Sequence, residues 1–219
     1  KRSTGWDTLS NSLLKKFSYI IAPTLTHLVN TSLLTGEYPN NFKICRICPQ
    51  YKAKEKDNMN NYRPVALAPC LSKILERVVS NQTRAYLEKH NFLAKKQYGF
   101  RSKMQINHLL YDLVQNICKN KADKKKMSAI FIDLSKAFDC LDHNIYLGLI
   151  KQLGFSTIVQ SWYHNYLCNR KQYVEINKTT SSLLLINIGT PQGTVLGPLI
   201  FLIYVNSLQT VVEEGMNFS

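Results

Sequence analysis

Two periodicities follow one another irregularly along this chain, and their order is what most restricts its fold. Residues 71–90 place Leu71, Ile74, Leu75, Val78, Val79, Tyr86 and Leu87 at helical spacing. The same spacing recurs in residues 7–34 (Leu9, Leu13, Leu14, Phe17, Ile20 and Ile21), in 105–119, near 143–153 and 157–168, and in the apolar run that follows Gly189. Asp7 or Thr8 offers an N-cap for the first region and Gly36 a stop, while Pro23 breaks or kinks it into two helices. Runs of strand length lie between these patterns at 42–51, 127–134, 171–177 and 183–188. A polar loop is expected over 52–64. Strands and helices do not alternate regularly, so the pattern predicts an α+β fold, not a doubly wound sheet.

Composition enters through charge. There are 28 Lys and Arg against 14 Asp and Glu, a formal net charge of +14. That excess predicts affinity for a polyanion, either nucleic acid or an anionic membrane, with a solubilising surface as the plain alternative. The longest apolar run, Leu199 to Val205, is seven residues. That is a core length, well short of the roughly 18 residues that span a bilayer. Lys1 and Arg2 lead into a polar segment unlike a secretory signal, so the six cysteines are expected to be reduced thiols inside the cell. Cys45 and Cys48 form a C-x-x-C pair, but the chain has no second pair to complete a zinc site.

Residues 131–143 read FIDLSKAFDCLDH and hold three of the chain's seven aspartates. In a strand, Phe131 and Asp133 share one face while Ile130 and Ile132 share the other. A carboxylate at the end of a core strand is costly to bury unless it faces a metal or a basic partner. Mg²⁺ typically takes one or two carboxylates together with substrate phosphates. A simple turn cap is the competing reading of Asp133. Asp142 precedes a helical pattern through Leu147, Ile150 and Leu153, so it reads as an N-cap, with His143 in the first turn and not a general base. Asp139 reads as structural, and Asp112 and Asp123 as solvated surface. The lysines of 119–126 fit a solvated loop or a phosphate contact equally. The turn Gly189-Thr190-Pro191-Gln192-Gly193 opens a helix, where backbone N–H groups can approach a phosphate or a base.

Five segments in order carry a resemblance. They are NYRPVALAPCLSKILERVV (61–79), KKQYGFR (95–101), FIDLSKAFDCLDH (131–143), CNRKQYVEIN (168–177) and GTPQGTVLGPLIFLIYVNSL (189–208). Together they resemble successive blocks of the reverse transcriptases of non-long-terminal-repeat (LINE-type) retrotransposons, and they cover most of the chain. The resemblance implies a right-hand polymerase fold: fingers and an N-terminal helical region over residues 1–126, and a partial palm over 127–219. The palm would be a small antiparallel sheet backed by helices. It implies RNA-templated addition of deoxynucleotides to a primer 3′ end, with two Mg²⁺ ions and with RNA template, DNA primer and deoxynucleoside triphosphates as partners, and a nuclear location. No membrane partner is expected.

By the same resemblance Asp133 is the catalytic metal ligand, and Phe138 a steric gate against a ribose 2′-hydroxyl. Gln192 and Gly193 would lie beside the nascent base pair. Arg63 would grip the triphosphate, with Lys52 as its partner and Lys54 a close rival, and Arg101 would touch the template backbone. Lys73 stays outside the site. The chain departs from the family pattern in having no adjacent Asp pair to supply the remaining metal ligands. These 219 residues are therefore expected not to polymerise DNA on their own. Ser207 stands where Asp is usual and Trp6 where Pro is usual. A decayed or domesticated RNA-binding protein and a maturase-like splicing factor are the alternative functions.

Overall fold

The computed structural model describes residues 4–102, 104–134 and 136–208. In chain order the elements are α1 (Asn11–Lys16), α2 (Ser18–Thr35), β1 (Ile44–Tyr51), β2 (Tyr62–Leu67), α3 (Cys70–Lys89), α4 (Ile106–Ala122), α5 (His143–Gln152), α6 (Thr157–Leu167), β3 (Arg170–Ile176), β4 (Thr179–Thr180), β5 (Leu184–Ile186) and α7 (Gly197–Asn206). The class is α+β, as the patterning predicts. The first helical region divides at Phe17, not at Pro23, and its cap is Ser10, whose hydroxyl accepts the Leu13 N–H. Pro23 lies inside α2, where it removes one N–H donor. Gly36, at φ 71°, closes α2 in the left-handed conformation that glycine adopts without penalty.

The sheet runs β2-β1-β3, with β4 and β5 both on the far side of β3. β1 pairs antiparallel with β2, from Arg46 opposite Leu67 to Tyr51 opposite Tyr62. β3 pairs parallel with β1, Ile44 lying opposite Lys171. The sheet is thus mixed, not antiparallel as expected. Parallel neighbours need a long crossover, and the helices α3 to α6 between β2 and β3 supply one. β2 falls partly in the stretch read as polar loop. Its Pro64 sits opposite Pro49 of β1 on an edge strand, where a missing N–H is tolerated.

The strand expected over 127–134 does not form. The segment is irregular, with Ile130, Phe131 and Ile132 at 86%, 83% and 78% exposure. A strand is stabilised by a neighbour that pairs its N–H and C=O groups, and among the described residues none lies alongside this one.

The main core joins α2, α3, α5, α6 and α7 through Val29, Leu75, Val79, Ile150, Trp162, Tyr166, Leu199 and Ile203. A smaller cluster of Cys45, Ile47, Ala66 and Ala68 lies on the sheet, with Val174 against it. α3 is rotated from the expected face. Its buried residues include Ser72, Glu76, Ser80 and Thr83 beside Leu75, Val79 and Leu87, while Ile74 is exposed. Polar side chains are accepted there when each finds a partner. Thr83 Oγ1 meets the Tyr163 hydroxyl at 2.8 Å, and Ser72 Oγ donates to the Pro69 carbonyl at 2.7 Å. α4 buries none of its residues. No helix among the described residues is long and apolar enough to cross a membrane.

Candidate functional site

The second half of the acidic motif and the glycine turn are built into each other. The Thr190 N–H donates to the Phe138 carbonyl and the Gly189 N–H to the Leu141 carbonyl, each at 2.8 Å. His143 Nε2 lies 2.8 Å from the Gly189 carbonyl oxygen. Gln192 Nε2 donates to Asp139 Oδ1 at 3.0 Å. Only glycine suits position 189: φ is +80°, and a Cβ there would stand 2.6 Å from the Asp139 carbonyl oxygen. From the other side β2 holds the turn. The Ala66 N–H donates to the Gln192 carbonyl at 2.7 Å, and a Cβ on Gly193 (φ +106°) would meet the Ala66 oxygen at 2.9 Å. Gln192 and Gly193 are therefore clamped between residues 138–141 and the edge of the sheet.

The three aspartates of the motif have different surroundings. Asp142 Oδ1 accepts the N–H groups of Asn144 (2.7 Å) and Ile145 (3.1 Å), and so caps α5 as its position predicts. Asp139 holds the Gln192 amide. Asp133 is exposed on the irregular segment and has no hydrogen-bond or ion-pair partner among the described residues. Nor does any group of three His, Cys, Asp or Glu come together there that could hold a metal ion. The described carboxylates do not fit the expected pair of Mg²⁺ ions.

Phe138 is half-buried, and its ring brings three of the sequence blocks together. Its centroid is 4.9 Å from Phe201 on α7 and 6.0 Å from Phe100, the latter edge to face. Arg101 donates from Nη1 to the Ala94 carbonyl at 2.8 Å, which leaves the rest of its guanidinium for a ligand. Arg63 is exposed on β2 opposite Gln50, and Lys52 is exposed just past the end of β1. The Lys52 N–H donates to the Asn61 carbonyl at 2.9 Å, so both cations stand at one end of the β1/β2 hairpin. Lys54 follows in the exposed loop with φ 73°.

Glu76 is not among the residues that mark the site in the sequence. This residue of α3 is fully buried, and its Oε2 accepts the N–H groups of Val195 (2.7 Å) and Leu196 (3.2 Å) at the start of α7. Oε1 faces the Tyr38 hydroxyl at 3.4 Å. Burial pushes the Glu76 carboxyl above the usual carboxylate range, while the charge of Arg170 and the two N–H groups pull it down. Arg170 is equally buried. It donates to the Tyr166 carbonyl (3.1 Å) and to Cys45 Sγ (3.4 Å), and its guanidinium lies 4.8 Å from the Tyr166 ring centre and 5.9 Å from that of Tyr38. Cys45 is thus part of the core, whereas Cys48 is exposed. The sole sequence signal for Glu76 was a carboxylate inside the apolar run ILERVV.

Residues 53–218 match the family described as reverse transcriptase (RNA-dependent DNA polymerase). The chain is 29% identical over 209 residues to the probable RNA-directed DNA polymerase from transposon BS of Drosophila melanogaster, a match covering 95% of this chain and 23% of that protein. It is 28% identical over 211 residues to the RNA-directed DNA polymerase from mobile element jockey of the same organism, covering 96% of this chain and 23% of the relative. A third relative, the probable RNA-directed DNA polymerase from transposon X-element, is 26% identical over 212 residues, covering 94% and 23%. The chain therefore spans less than a quarter of the length of these relatives.

Proposed function

Because the chain belongs to the reverse transcriptase (RNA-dependent DNA polymerase) family, in its non-long-terminal-repeat retrotransposon branch, we propose that it seats an incoming deoxynucleoside triphosphate against an RNA template and a DNA primer. The observation that carries this reading is the turn clamped between residues 138–141 and β2. It presents Gln192 and Gly193 on a fixed backbone, held against the strand that also carries Arg63. Gln192 keeps Oε1 and its second amide hydrogen for a base or sugar while the first holds Asp139. Arg63 offers a planar fork that matches phosphate oxygens, and Lys52 adds a point charge beside it. Phe138, backed by Phe100 and Phe201, is the candidate gate against a ribose hydroxyl. Arg101 is the candidate contact to the template backbone, and the net charge of +14 favours the polyanion throughout.

In polymerases of this kind a pair of Mg²⁺ ions supplies Lewis-acid chemistry to the primer hydroxyl and the leaving pyrophosphate. Asp133 is the candidate ligand in this chain, and one exposed carboxylate does not complete such a site. We expect the 219 residues alone to bind nucleic acid and nucleotide without extending a primer.

The first test measures deoxynucleotide and RNA–DNA primer–template affinity for the chain and for Arg63→Ala and Gln192→Ala. Loss of a charge-assisted fork lowers triphosphate affinity about tenfold or more. Unchanged nucleotide affinity in both variants would reject the reading. Robust Mg²⁺-dependent extension by the chain alone would reject its inactivity. A non-catalytic RNA-binding role is the competing function. In a longer form that extends primers, Asp133→Asn should abolish extension and spare RNA binding. A longer form with no extension in its native sequence would favour the binding role.

A further inference from the structure

We propose that Glu76 is the positioning residue of the Gln192–Gly193 turn, reaching from α3 to fix the backbone that follows it. The inference rests on the reading of that turn as a nucleotide seat.

α7 begins immediately after the turn, and its first N–H groups have no partners within the helix. No side chain of the Leu196 cap position supplies one. Thr194 Oγ1 accepts the Gly197 N–H at 3.2 Å, and Glu76 Oε2 accepts those of Leu196 and Val195. The carboxylate comes from 119 residues away in the chain and is closed off from water. A buried anion is costly, and an apolar residue of similar size would fill the same space without that cost. Its retention here has a geometric return. Two charge-assisted bonds aimed at the amides of 195 and 196, together with the Ala66 bond to the Gln192 carbonyl, fix the turn at both ends. Between those anchors lie Gly193 and Thr194. On its other oxygen the carboxylate faces the Tyr38 hydroxyl at 3.4 Å. Glu76 touches no candidate ligand position. It acts through the turn.

The test compares Glu76→Leu, Glu76→Asp and Glu76→Gln in the full chain, with Gln192→Ala as reference. Two readouts are used: hydrogen exchange at the Val195 and Leu196 amides, and binding of a deoxynucleoside triphosphate in the presence of an RNA–DNA primer–template. Glu76→Leu keeps the volume and removes the acceptor. It should speed exchange at both amides and weaken triphosphate binding by about tenfold each, leaving primer–template affinity unchanged. Glu76→Gln keeps an acceptor oxygen and should restore both readouts to within about threefold of wild type. Glu76→Asp keeps the charge but draws it back by one methylene, and should fall between the two. It also serves if the leucine variant does not fold. Loss of triphosphate binding in Gln192→Ala, with none in Glu76→Leu or Glu76→Asp, overturns the role of Glu76 and leaves the nucleotide seat standing. No loss in Gln192→Ala takes the Gln192–Gly193 turn out of the nucleotide seat, and the proposal falls with it. Equal damage in the Gln and Leu variants overturns the positioning role, because packing and not the acceptor would then be what matters.

Discussion

The motif at 131–143 divides into two stretches of opposite fate. Residues 131–134 are exposed and unpaired among the described residues, although Phe131, Ile132 and Leu134 are as apolar as any strand in the sheet. Residues 138–142 have a lower apolar content and are held on several sides: by Gly189 and Thr190, by Gln192, by the rings of Phe100 and Phe201, and by the α5 amides. What separates the two is partners, not hydrophobicity. An extended segment gains little from apolar side chains until another backbone meets its N–H and C=O groups, whereas a turn-and-cap segment can be satisfied by one close approach.

That contrast predicts a graded set of stability effects, each measured by urea denaturation of the chain. The largest belongs to Gly189→Ala. A left-handed φ and a Cβ 2.6 Å from a carbonyl oxygen should together cost about 3 kcal/mol. A loss below about 1 kcal/mol would mean that the two segments are less tightly joined than their hydrogen bonds indicate.

A second probe follows pH. The folded-state pKa of Glu76 lies above its unfolded value, so protonation favours the fold. The stability contribution of Glu76, relative to Glu76→Gln, is fully present below the unfolded carboxylate range and declines as pH rises through the raised folded value. Stability curves of the two proteins should therefore separate in favour of Gln as pH increases from about 4. A separation of opposite sign would show that Arg170 and the two amides outweigh burial.

Asp142→Ala should cost about 1 kcal/mol through loss of the α5 cap, and Asp142→Asn only a few tenths. The smallest effects belong to the first stretch. Ile132→Ser and Asp133→Asn should each change stability by less than about 0.5 kcal/mol. A cost above about 1 kcal/mol for Ile132→Ser would show that 127–134 is covered in solution, and would erase the contrast.

Several features were legible in the sequence because their causes are local. Asp142 sits at the edge of a helical pattern and needs only the next three residues to cap it. Gly36 and Gly189 mark positions where the backbone turns left-handed. The 3.6 period placed α3, α5 and α6 within a residue or two. β2 was hidden because YRPVAL carries a proline and no clear alternation, and its strand identity comes from β1 beside it. The run 127–134 is the converse case: its composition suits a strand, and among the described residues no neighbouring strand is there to make one. On α3 the expected stripe included Ile74, whereas the helix turned Glu76 inward.

Of the candidate site, the sequence supplied the residue types and the order of the blocks. Phe138, Gln192, Gly193 and Arg63 were named from it, but nothing in it joined Gln192 to Asp139 or Val195 to Glu76. Those pairs lie 53 and 119 positions apart. The sequence by itself determined the helical periods, the α5 cap, the glycine turns, the basic charge and the family, since each is written in neighbouring residues or in the order of short blocks. Only the tertiary structure decided which apolar run became a strand, which face of α3 went inside and which side chain Asp139 holds. Those outcomes depend on which distant groups arrive to satisfy a buried or unpaired polar atom, and such meetings carry no period that can be read along the chain.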